Sequence, residues 1–207
     1  YCEGNAWQWT WFTPHDIEGL VELMGGEQAF VGKLDSLFTA DSSLEGDAVS
    51  ADISGLIGQY AHGNEPSHHI IHMYNYVNQP WKTQELIDRV LKEQYRNAPD
   101  GLSGNEDCGQ MSAWYILNAM GFYQVCPGKP VYSIGRPLFD KVTINLPEAK
   151  TFTIITKNNS KDNKYIESAM LNGQELNIPF LEHKDIAAGG TLEITSTNQP
   201  TKWGVQQ

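Results

Sequence analysis

Two adjacent carboxylates, Glu106 and Asp107, lie in a loop rich in glycine and polar residues, within the stretch GLSGNEDCGQMSAW at positions 101–114. Apolar side chains follow at helical spacing, beginning with Met111 and Trp114, so the sequence predicts a helix directly after the two acids. A carboxylate at a helix N-terminus can accept hydrogen bonds from free backbone amides, and the helix dipole stabilises it. Asp107 is therefore either a helix cap or a catalytic carboxylate, and this stretch alone leaves both interpretations open.

A second stretch, at positions 62–72, places another acid before a predicted helix. Asn64 and Glu65 precede Pro66, a residue that favours the first turn of a helix. Together with Asp107, these side chains offer hard oxygen ligands, which select calcium or magnesium over zinc. The sequence therefore permits a hard-cation site if the two stretches meet.

The second stretch also contains four histidines, which raise the question of a zinc site. His68 and His72 have the one-turn spacing that places two rings on one helix face. The HExxH arrangement is absent, however, because Glu65 precedes this pair, and histidines on a helix face are commonly hydrogen-bonded core residues. The sequence therefore favours oxygen ligands for a hard cation over a zinc site.

A third acid, Glu3, precedes a cluster of aromatic side chains in EGNAWQWTWFTPHD, positions 3–16. Aromatic residues are mostly core residues, because each ring buries a large apolar area. Here polar side chains alternate with the rings, which also suits a surface that stacks on sugar rings and hydrogen-bonds their hydroxyls. Three acid-bearing loops could supply the proton donor and the base of a glycoside hydrolase, but spacing alone does not show that they meet.

The composition argues against several classes of partner. A formal net charge of -11 disfavours nucleic acid and anionic membranes, because both require basic surface. No apolar run reaches the length of a membrane span. The three cysteines lack C-x-x-C spacing and indicate neither a disulfide framework nor a zinc site. The acidic balance fits a protein that binds a cation or a neutral sugar.

Helical periodicity dominates up to Cys126, and short alternating or β-branched runs follow it. These runs predict strands at 131–134, 142–146, 151–155, 165–171 and 192–195. The β module is small for an independent sandwich and poor in apolar residues, so we expect it to pack against another domain. The sequence predicts a mainly α fold with a C-terminal β module.

Four motifs, in this order along the chain, are similar to those of a known family. They are EGNAWQWTWFTPHD, GQYAHGNEPSHHIIHMYNYV, GLSGNEDCGQMSAWY and the tail from residue 130 to residue 172. Together they resemble glycoside hydrolase family 92, whose members are calcium-dependent, exo-acting α-mannosidases. The resemblance covers nearly the whole chain. Because the family's proteins are far longer, the chain looks like their C-terminal portion.

The resemblance implies the later helices of an (α/α)6 toroid followed by antiparallel strands. Residues 1–128 would form the C-terminal part of that catalytic domain. Residues 129–207 would form a β module packed on the toroid and on an N-terminal domain outside this chain. The resemblance further implies a mannose-containing glycan as substrate, inversion at the anomeric carbon, Ca2+ held against the mannose O2 and O3, and a secreted or periplasmic location. We expect the chain alone to be inactive.

The resemblance also implies roles for individual residues. Glu3 matches the general acid and Asp107 the general base, while Asn64 and Glu65 would lie at the calcium ion. Glu65 is the alternative acid, although a carboxylate bound to a cation is a poor proton donor. The implied substrate contacts are Trp7, His62, Asn105 and Glu106.

One position departs from the family pattern. Family members often carry an acid two residues before the base, where this chain has Asn105, so Asp107 would be less assisted. The alternative function, from a different class, is a calcium-dependent carbohydrate-binding module without catalysis. Such a module would use the same aromatic rings and oxygen ligands without an acid and base pair, so turnover distinguishes the two.

Overall fold

Helices form most of the regular structure before residue 121 in the computed structural model, which describes residues 1–46 and 49–206. The α-helices are α1 (Ala6–Trp9), α2 (Ile17–Leu23), α3 (Glu27–Thr39), α4 (Pro80–Glu93), α5 (Gln110–Met120) and α6 (His183–Ala188). The 3-10 helices are Glu65–Ser67, Ile70–Val77 and Pro147–Ala149. The predicted helix after Pro66 therefore forms as two short 3-10 segments.

A glycine in the left-handed region lies at each end of the helix α5. Gly109 precedes it with a φ of 91°, and Gly121 ends it with a φ of 106°. The Gly121 amide donates to the carbonyls of Leu117 and Asn118, which satisfies the last turn. A Cβ at Gly121 would lie 2.8 Å from Pro137 Cγ, so this close approach also requires glycine. The chain thereby turns sharply from α5 into the first strand of the following sheet.

The strands form three sheets within the described residues. The bounds are β1 (Leu56–Ile57), β2 (Tyr60–Ala61), β3 (Phe122–Tyr123), β4 (Val131–Ile134), β5 (Lys141–Asn145), β6 (Thr151–Lys157), β7 (Tyr165–Leu171), β8 (Gln174–Glu175), β9 (Phe180–Glu182) and β10 (Gly190–Thr197). The largest sheet has the order β5-β6-β10-β7-β8, and the others pair β3-β4-β9 and β1-β2. The strand β10 runs parallel to β6 and antiparallel to β7. The expectation of purely antiparallel strands is therefore wrong.

Two hydrophobic clusters divide the apolar core between the two halves of the chain. The first is built by the helices and contains the buried rings of Trp11, Phe30 and Trp114. The second lies on the largest sheet and contains Phe152 and Ile194. Alternating burial along β6 and β10 explains the second cluster, because every other side chain of a strand points to the same face. The helices pack around one core and the strands around the other.

A buried hydrogen-bond chain joins the two halves. Asn75 Nδ2 donates to Ser133 Oγ at 2.6 Å, and Ser133 lies 3.0 Å from His72 Nδ1. The other ring nitrogen of His72 lies 2.9 Å from Asn118 Oδ1. Because that amide oxygen can only accept, His72 carries its proton on Nε2 and accepts from Ser133 on Nδ1. A strand of the β half is thus fixed to the 3-10 helix Ile70–Val77 and to α5.

The prediction of a mainly α fold, and of the later helices of an (α/α)6 toroid, is wrong. The structure is 34% helical and 22% strand, which is a mixed α and β composition. Three strands, β1, β2 and β3, already occur before Cys126. Each has two residues, too few to produce an alternating pattern, which explains why the sequence did not indicate them. In the described part of the chain, the helices are all too short or too polar to cross a membrane.

Candidate active site

The loop that carries Glu65 and the loop that carries Asp107 meet backbone to backbone at two glycines. A Cβ at Gly104, whose φ is 81°, would lie 2.4 Å from the carbonyl oxygen of Gly63. A Cβ at Gly63 would lie 3.0 Å from the carbonyl oxygen of Ser103. Any larger side chain at either position would separate the loops. Glycine in both motifs therefore allows the two acid-bearing loops to approach each other.

The segments that carry the three predicted acids contact one another, because the Asn64 side chain is bonded to the Glu3 backbone and the Glu65 and Asp107 loops meet at two glycines. Burial raises the pKa of the Glu65 carboxyl, and the negative charges of Asp107 and Glu3 raise it further. Its Oε1 atom is buried and has no hydrogen-bond donor among the described residues. Glu3 and Asp107 are exposed in this chain, whereas Glu65 is half-buried. The structure thus brings together three carboxylates that the sequence places in separate loops.

Glu3 is held by the segment that precedes Glu65. Asn64 Nδ2 donates to the carbonyl oxygen of Glu3 at 2.5 Å. Glu3 has a φ of 51°, in the left-handed region, which a non-glycine residue adopts only when its surroundings fix it. The side chain of Asn64 therefore positions the backbone of the first acid.

The short helix α1 is anchored immediately after Glu3. The Asn5 side chain accepts from the amide of Trp7, and the Gln8 side chain accepts from the amide of Asn5, both at 2.8 Å. This reciprocal pair is a capping box. Gln8 Nε2 also donates to the carbonyl of Gln59 at 2.6 Å, which fixes α1 beside β2. Trp7 is half-buried, and Lys33 Nζ lies 4.1 Å from the centroid of its ring.

Glu106, and not Asp107, caps the helix α5. The Glu106 carboxylate accepts from the Ser112 amide at 2.9 Å and from Ser112 Oγ at 2.8 Å. Asp107 and Cys108 have φ values of 46° and 57°, so the loop holds consecutive residues in the left-handed region. Asn105 is exposed. The helix cap, one of the two interpretations of Asp107, is therefore supplied by Glu106.

His62 is fully buried behind this site. Its Nδ1 lies 2.9 Å from Tyr60 Oη, and its Nε2 lies 2.7 Å from Tyr95 Oη. Tyr95 donates its own proton to the carbonyl of Met111 at 3.1 Å, so it accepts from His62 Nε2, and His62 Nδ1 accepts from Tyr60. Burial lowers the pKa of His62 well below its usual value, and His68 lowers it further. His62 is thus a neutral ring whose two nitrogens are both hydrogen-bonded to tyrosines. It supports the loop that carries Glu65 from within the core.

The other histidines of this stretch have fixed structural partners. His68 Nε2 donates to the carbonyl of His62 at 3.0 Å, and His69 Nε2 donates to the carbonyl of Trp11 at 2.8 Å. Burial lowers the pKa of His68 to about 4 and that of His72 to about 3. In the described part of the chain, His, Cys, Asp and Glu side chains form no group of three or more that could hold a metal. These rings are therefore neutral core residues.

Asn64 and Glu65 carry the type of oxygen donor that calcium prefers, but they supply too few ligands to complete a calcium site. The unpartnered Oε1 of Glu65 is a hard oxygen donor of the kind that calcium prefers. Calcium takes roughly six to eight oxygen ligands, so most would have to come from backbone carbonyls, water, substrate or residues outside this chain. The residues in this chain therefore fit one edge of a calcium site.

Sequence reasoning missed several supporting residues. Gln110, the first residue of α5, donates to His68 Nδ1 at 3.1 Å and to Tyr123 Oη at 3.2 Å. Tyr95 also lines an open cleft of about 650 Å³ beside α5, and none of the three carboxylates lines that cleft. A polar residue next to predicted site acids was the available signal for Gln110. Nothing in the local pattern indicated Tyr95, because its partners lie far along the chain.

Paired carboxylates on converging loops are typical of a glycoside hydrolase site. The chain matches the glycosyl hydrolase family 92 catalytic domain over residues 1–198 and belongs to that family. The family resemblance inferred from the four motifs is confirmed.

Three relatives illustrate the match. An uncharacterized secreted glycosidase of Arthroderma benhamiae is 33% identical over 99% of this chain and 25% of its own length. A family GH92 α-mannosidase of Bacteroides thetaiotaomicron, solved in complex with mannoimidazole, is 39% identical with a TM-score of 0.91 over 98% of this chain and 27% of its own. An inverting GH92 mannosidase of Bacteroides thetaiotaomicron VPI-5482 is 43% identical, with a TM-score of 0.86 over 100% of this chain and 29% of its own. The chain thus spans only about a quarter of the length of the relatives it matches.

Proposed function

We propose that this chain is part of an exo-acting, inverting α-mannosidase that hydrolyses terminal α-mannosides of glycans. The observation that carries the proposal is the contact among the segments that bear Glu3, Glu65 and Asp107. Asn64, next to Glu65, donates to the carbonyl of Glu3, and the loops of Glu65 and Asp107 meet at Gly63 and Gly104. The names of the structural relatives, an α-mannosidase and an inverting mannosidase, support the choice of sugar and stereochemistry.

In the proposed reaction, Asp107 is the general base and Glu3 the general acid. Asp107 removes a proton from a water molecule, whose oxygen bonds to the anomeric carbon on the face opposite the leaving group. The glycosidic C–O bond breaks, and Glu3 gives its proton to the departing oxygen. Inversion requires the two carboxyl groups to stand roughly 6.5–9.5 Å apart, so that the sugar and the water both fit between them. The exposure of both side chains leaves them accessible to a substrate.

We assign Asn64 and Glu65 as ligands on one side of a calcium ion. A bound cation would offset the mutual repulsion of the three carboxylates and polarise sugar hydroxyls. Glu65 also remains the alternative acid, because its raised pKa would keep it protonated at higher pH than an ordinary glutamic acid. A cation on Glu65 opposes that protonation, which is the reason for preferring Glu3 as the donor.

We further propose that Trp7 and Asn105 contact the sugar directly. Glu106 and His62 would act from behind, because the first is bound to Ser112 and the second is fully buried. Residues 1–128 would belong to the catalytic domain, with the remainder packed on a domain of the same protein outside this chain. A location outside the cytoplasm is supported by the fungal relative, which is named as secreted.

The test replaces Asp107 by asparagine in the full-length protein that contains this chain. Loss of a general base lowers turnover by about 100-fold to 10,000-fold, so we expect Asp107→Asn to lose hydrolysis of an α-mannoside by at least about 100-fold. Mannose affinity should stay within about threefold, because the substitution removes an interaction made mainly in the transition state. Steady-state kinetics and calorimetry measure the two quantities.

The matched control is Asp162→Asn, the same chemical change at an exposed carboxylate in the loop before β7. We expect that variant to keep wild-type turnover. An Asp107→Asn enzyme with more than a tenth of wild-type turnover would remove Asp107 from the role of base. A wild-type protein that binds mannose and never hydrolyses mannosides would contradict the proposed enzyme altogether.

A further inference from the structure

The Asp107 loop has a backbone that its own residues do not favour. Asp107, Cys108 and Gly109 have successive φ values of 46°, 57° and 91°, and only the last is a glycine. Non-glycine residues in this region cost on the order of 1–3 kcal/mol each, and they persist where surrounding contacts fix them. Contacts beyond the loop must therefore hold Asp107 in place.

Gln110 links the loop to such contacts through both its backbone and its side chain. Its backbone amide donates to the carbonyl of Asp107 at 3.2 Å, so Gln110 is directly bonded to the loop. Its side-chain amide donates to His68 Nδ1 at 3.1 Å and to Tyr123 Oη at 3.2 Å. Gln110 thus connects the Asp107 loop to residues on two other elements.

The bond to His68 leads directly to Glu65. His68 Nε2 is used in donating to the carbonyl of His62, so Nδ1 is an acceptor that requires a donor such as the Gln110 amide. The His68 amide, in turn, donates to the carbonyl of Glu65 at 3.0 Å. The Trp114 indole donates to the carbonyl of His68 at 3.0 Å and fixes it against α5. A continuous chain of hydrogen bonds therefore runs from Asp107 through Gln110 and His68 to Glu65.

We infer that Gln110 is a positioning residue that fixes the Asp107 loop against the segment carrying Glu65, and so sets the separation of the two carboxylates. The inference rests on the proposed function. The glycine contact between Gly63 and Gly104 holds the two loops at their beginning. Gln110 holds the second loop at its end, beyond Asp107. Two fixed ends determine the position of the acid between them.

The experiment uses the full-length protein and two variants of different size and chemistry. Gln110→Glu keeps the length of the side chain and removes both donors. Gln110→Asn keeps the amide and is one methylene too short to reach. The matched control is Gln28→Glu, the same change at an exposed glutamine in the first turn of α3. All four proteins are measured for thermal unfolding, amide hydrogen exchange, kcat, KM and the pH profile of kcat.

Both Gln110 variants should lower kcat by about tenfold or more, while KM changes less than about threefold, because the loss lies in the transition state. The limb of the pH profile that reports the carboxylates should shift, since their separation sets their mutual repulsion. Hydrogen exchange in residues 101–110 should become faster in both variants and stay unchanged in Gln28→Glu. A purely structural role would lower the unfolding temperature without moving the pH profile.

The hydrogen-exchange measurement does not depend on catalysis. If the wild-type protein does not hydrolyse mannosides, the proposed function fails, and exchange in residues 101–110 still tests the position of the loop. Unchanged exchange in Gln110→Asn would then overturn the inference. In an active enzyme, kcat within twofold of wild type and an unshifted pH profile in both variants would overturn it as well.

Discussion

At the scale of single residues, Glu65 is a site carboxylate whose protonation depends on its surroundings. Its pKa is raised above the ordinary value of 4.5, first by burial and then by Asp107 and Glu3. A carboxyl group with a raised pKa in the folded state stabilises the fold below its unfolded pKa. That stabilisation is lost as the pH rises through the folded pKa. Without a bound cation, the folded protein therefore becomes less stable relative to a neutral variant as the pH rises above 4.5.

This sign gives a prediction for Glu65→Gln in the full-length protein. In a chelator, the unfolding temperature of the wild type should fall relative to Glu65→Gln as the pH is raised from 4.5 to 7. Added calcium should reverse the difference by stabilising the wild type through binding, and zinc should not. Calorimetry measures both effects, with Glu45→Gln, a change at an exposed loop residue, as the control. A difference that does not vary with pH or with calcium would contradict both the burial argument and the metal assignment.

The types of the site residues were predictable from sequence, but their hydrogen-bond partners were not. Acids beside glycines marked the Glu65 and Asp107 loops, because polar turn residues before helical periodicity are visible in the sequence. The capping of α5 by Glu106 could not be separated from capping by Asp107, since both lie at the helix start. The roles assigned to Glu3, Asp107 and the calcium ligands stay predictions.

At the scale of elements, the junction between the helices and the sheet depends on buried polar groups. Asn75 Nδ2 lies within hydrogen-bonding distance of Ser133 Oγ and of the carbonyls of Ile134 and Pro179, at 2.6, 2.8 and 3.3 Å. Asn75→Ala would leave these acceptors buried without that donor. The expected destabilisation is about 1–3 kcal/mol, because an unsatisfied buried acceptor retains its desolvation cost.

Thermal unfolding of the full-length protein measures this effect as a lowered unfolding temperature. Asn97→Ala, at an exposed position of the loop before α5, is the matched control and should leave that temperature unchanged. Hydrogen exchange should become faster in β4 and in the segment 70–77 together, because Asn75 connects them. Equal unfolding temperatures for the two variants would show that the junction is held by apolar packing alone.

Strands later in the chain were easier to predict than those near the site. The runs at 151–155 and 165–171 identify β6 and β7 from sequence, with the predicted start of each at its observed start. Burial alternates along the whole of β6 and only along part of β7. The parallel pairing of β10 with β6 was not predictable, because alternation reports which face is buried and not which strand is the neighbour. The 3-10 geometry of 70–77 was equally hidden, since its apolar spacing also fits an α-helix.

At the scale of the whole molecule, the chain carries acids of the proposed site and spans only about a quarter of the length of the relatives it matches. Glu3 and Asp107 are exposed here, and the relatives are about four times longer than the matched region. Transition-state stabilisation in a glycosidase depends on fixed donors and on the exclusion of water around the reacting bond. In the proposed enzyme, the remaining walls of the site would therefore come from regions that correspond to the rest of the relatives' length.

This division predicts that a polypeptide of residues 1–207 alone has no measurable α-mannosidase activity, while the full-length protein hydrolyses the same chromogenic α-mannoside. Circular dichroism establishes whether the isolated polypeptide folds, and the Asp107→Asn form of each protein supplies the background rate. A folded polypeptide with the background rate is the expected result, because its acids remain open to water. Turnover within about tenfold of the full-length protein, and abolished by Asp107→Asn, would show that these residues carry a complete site and that the surrounding domains serve another purpose.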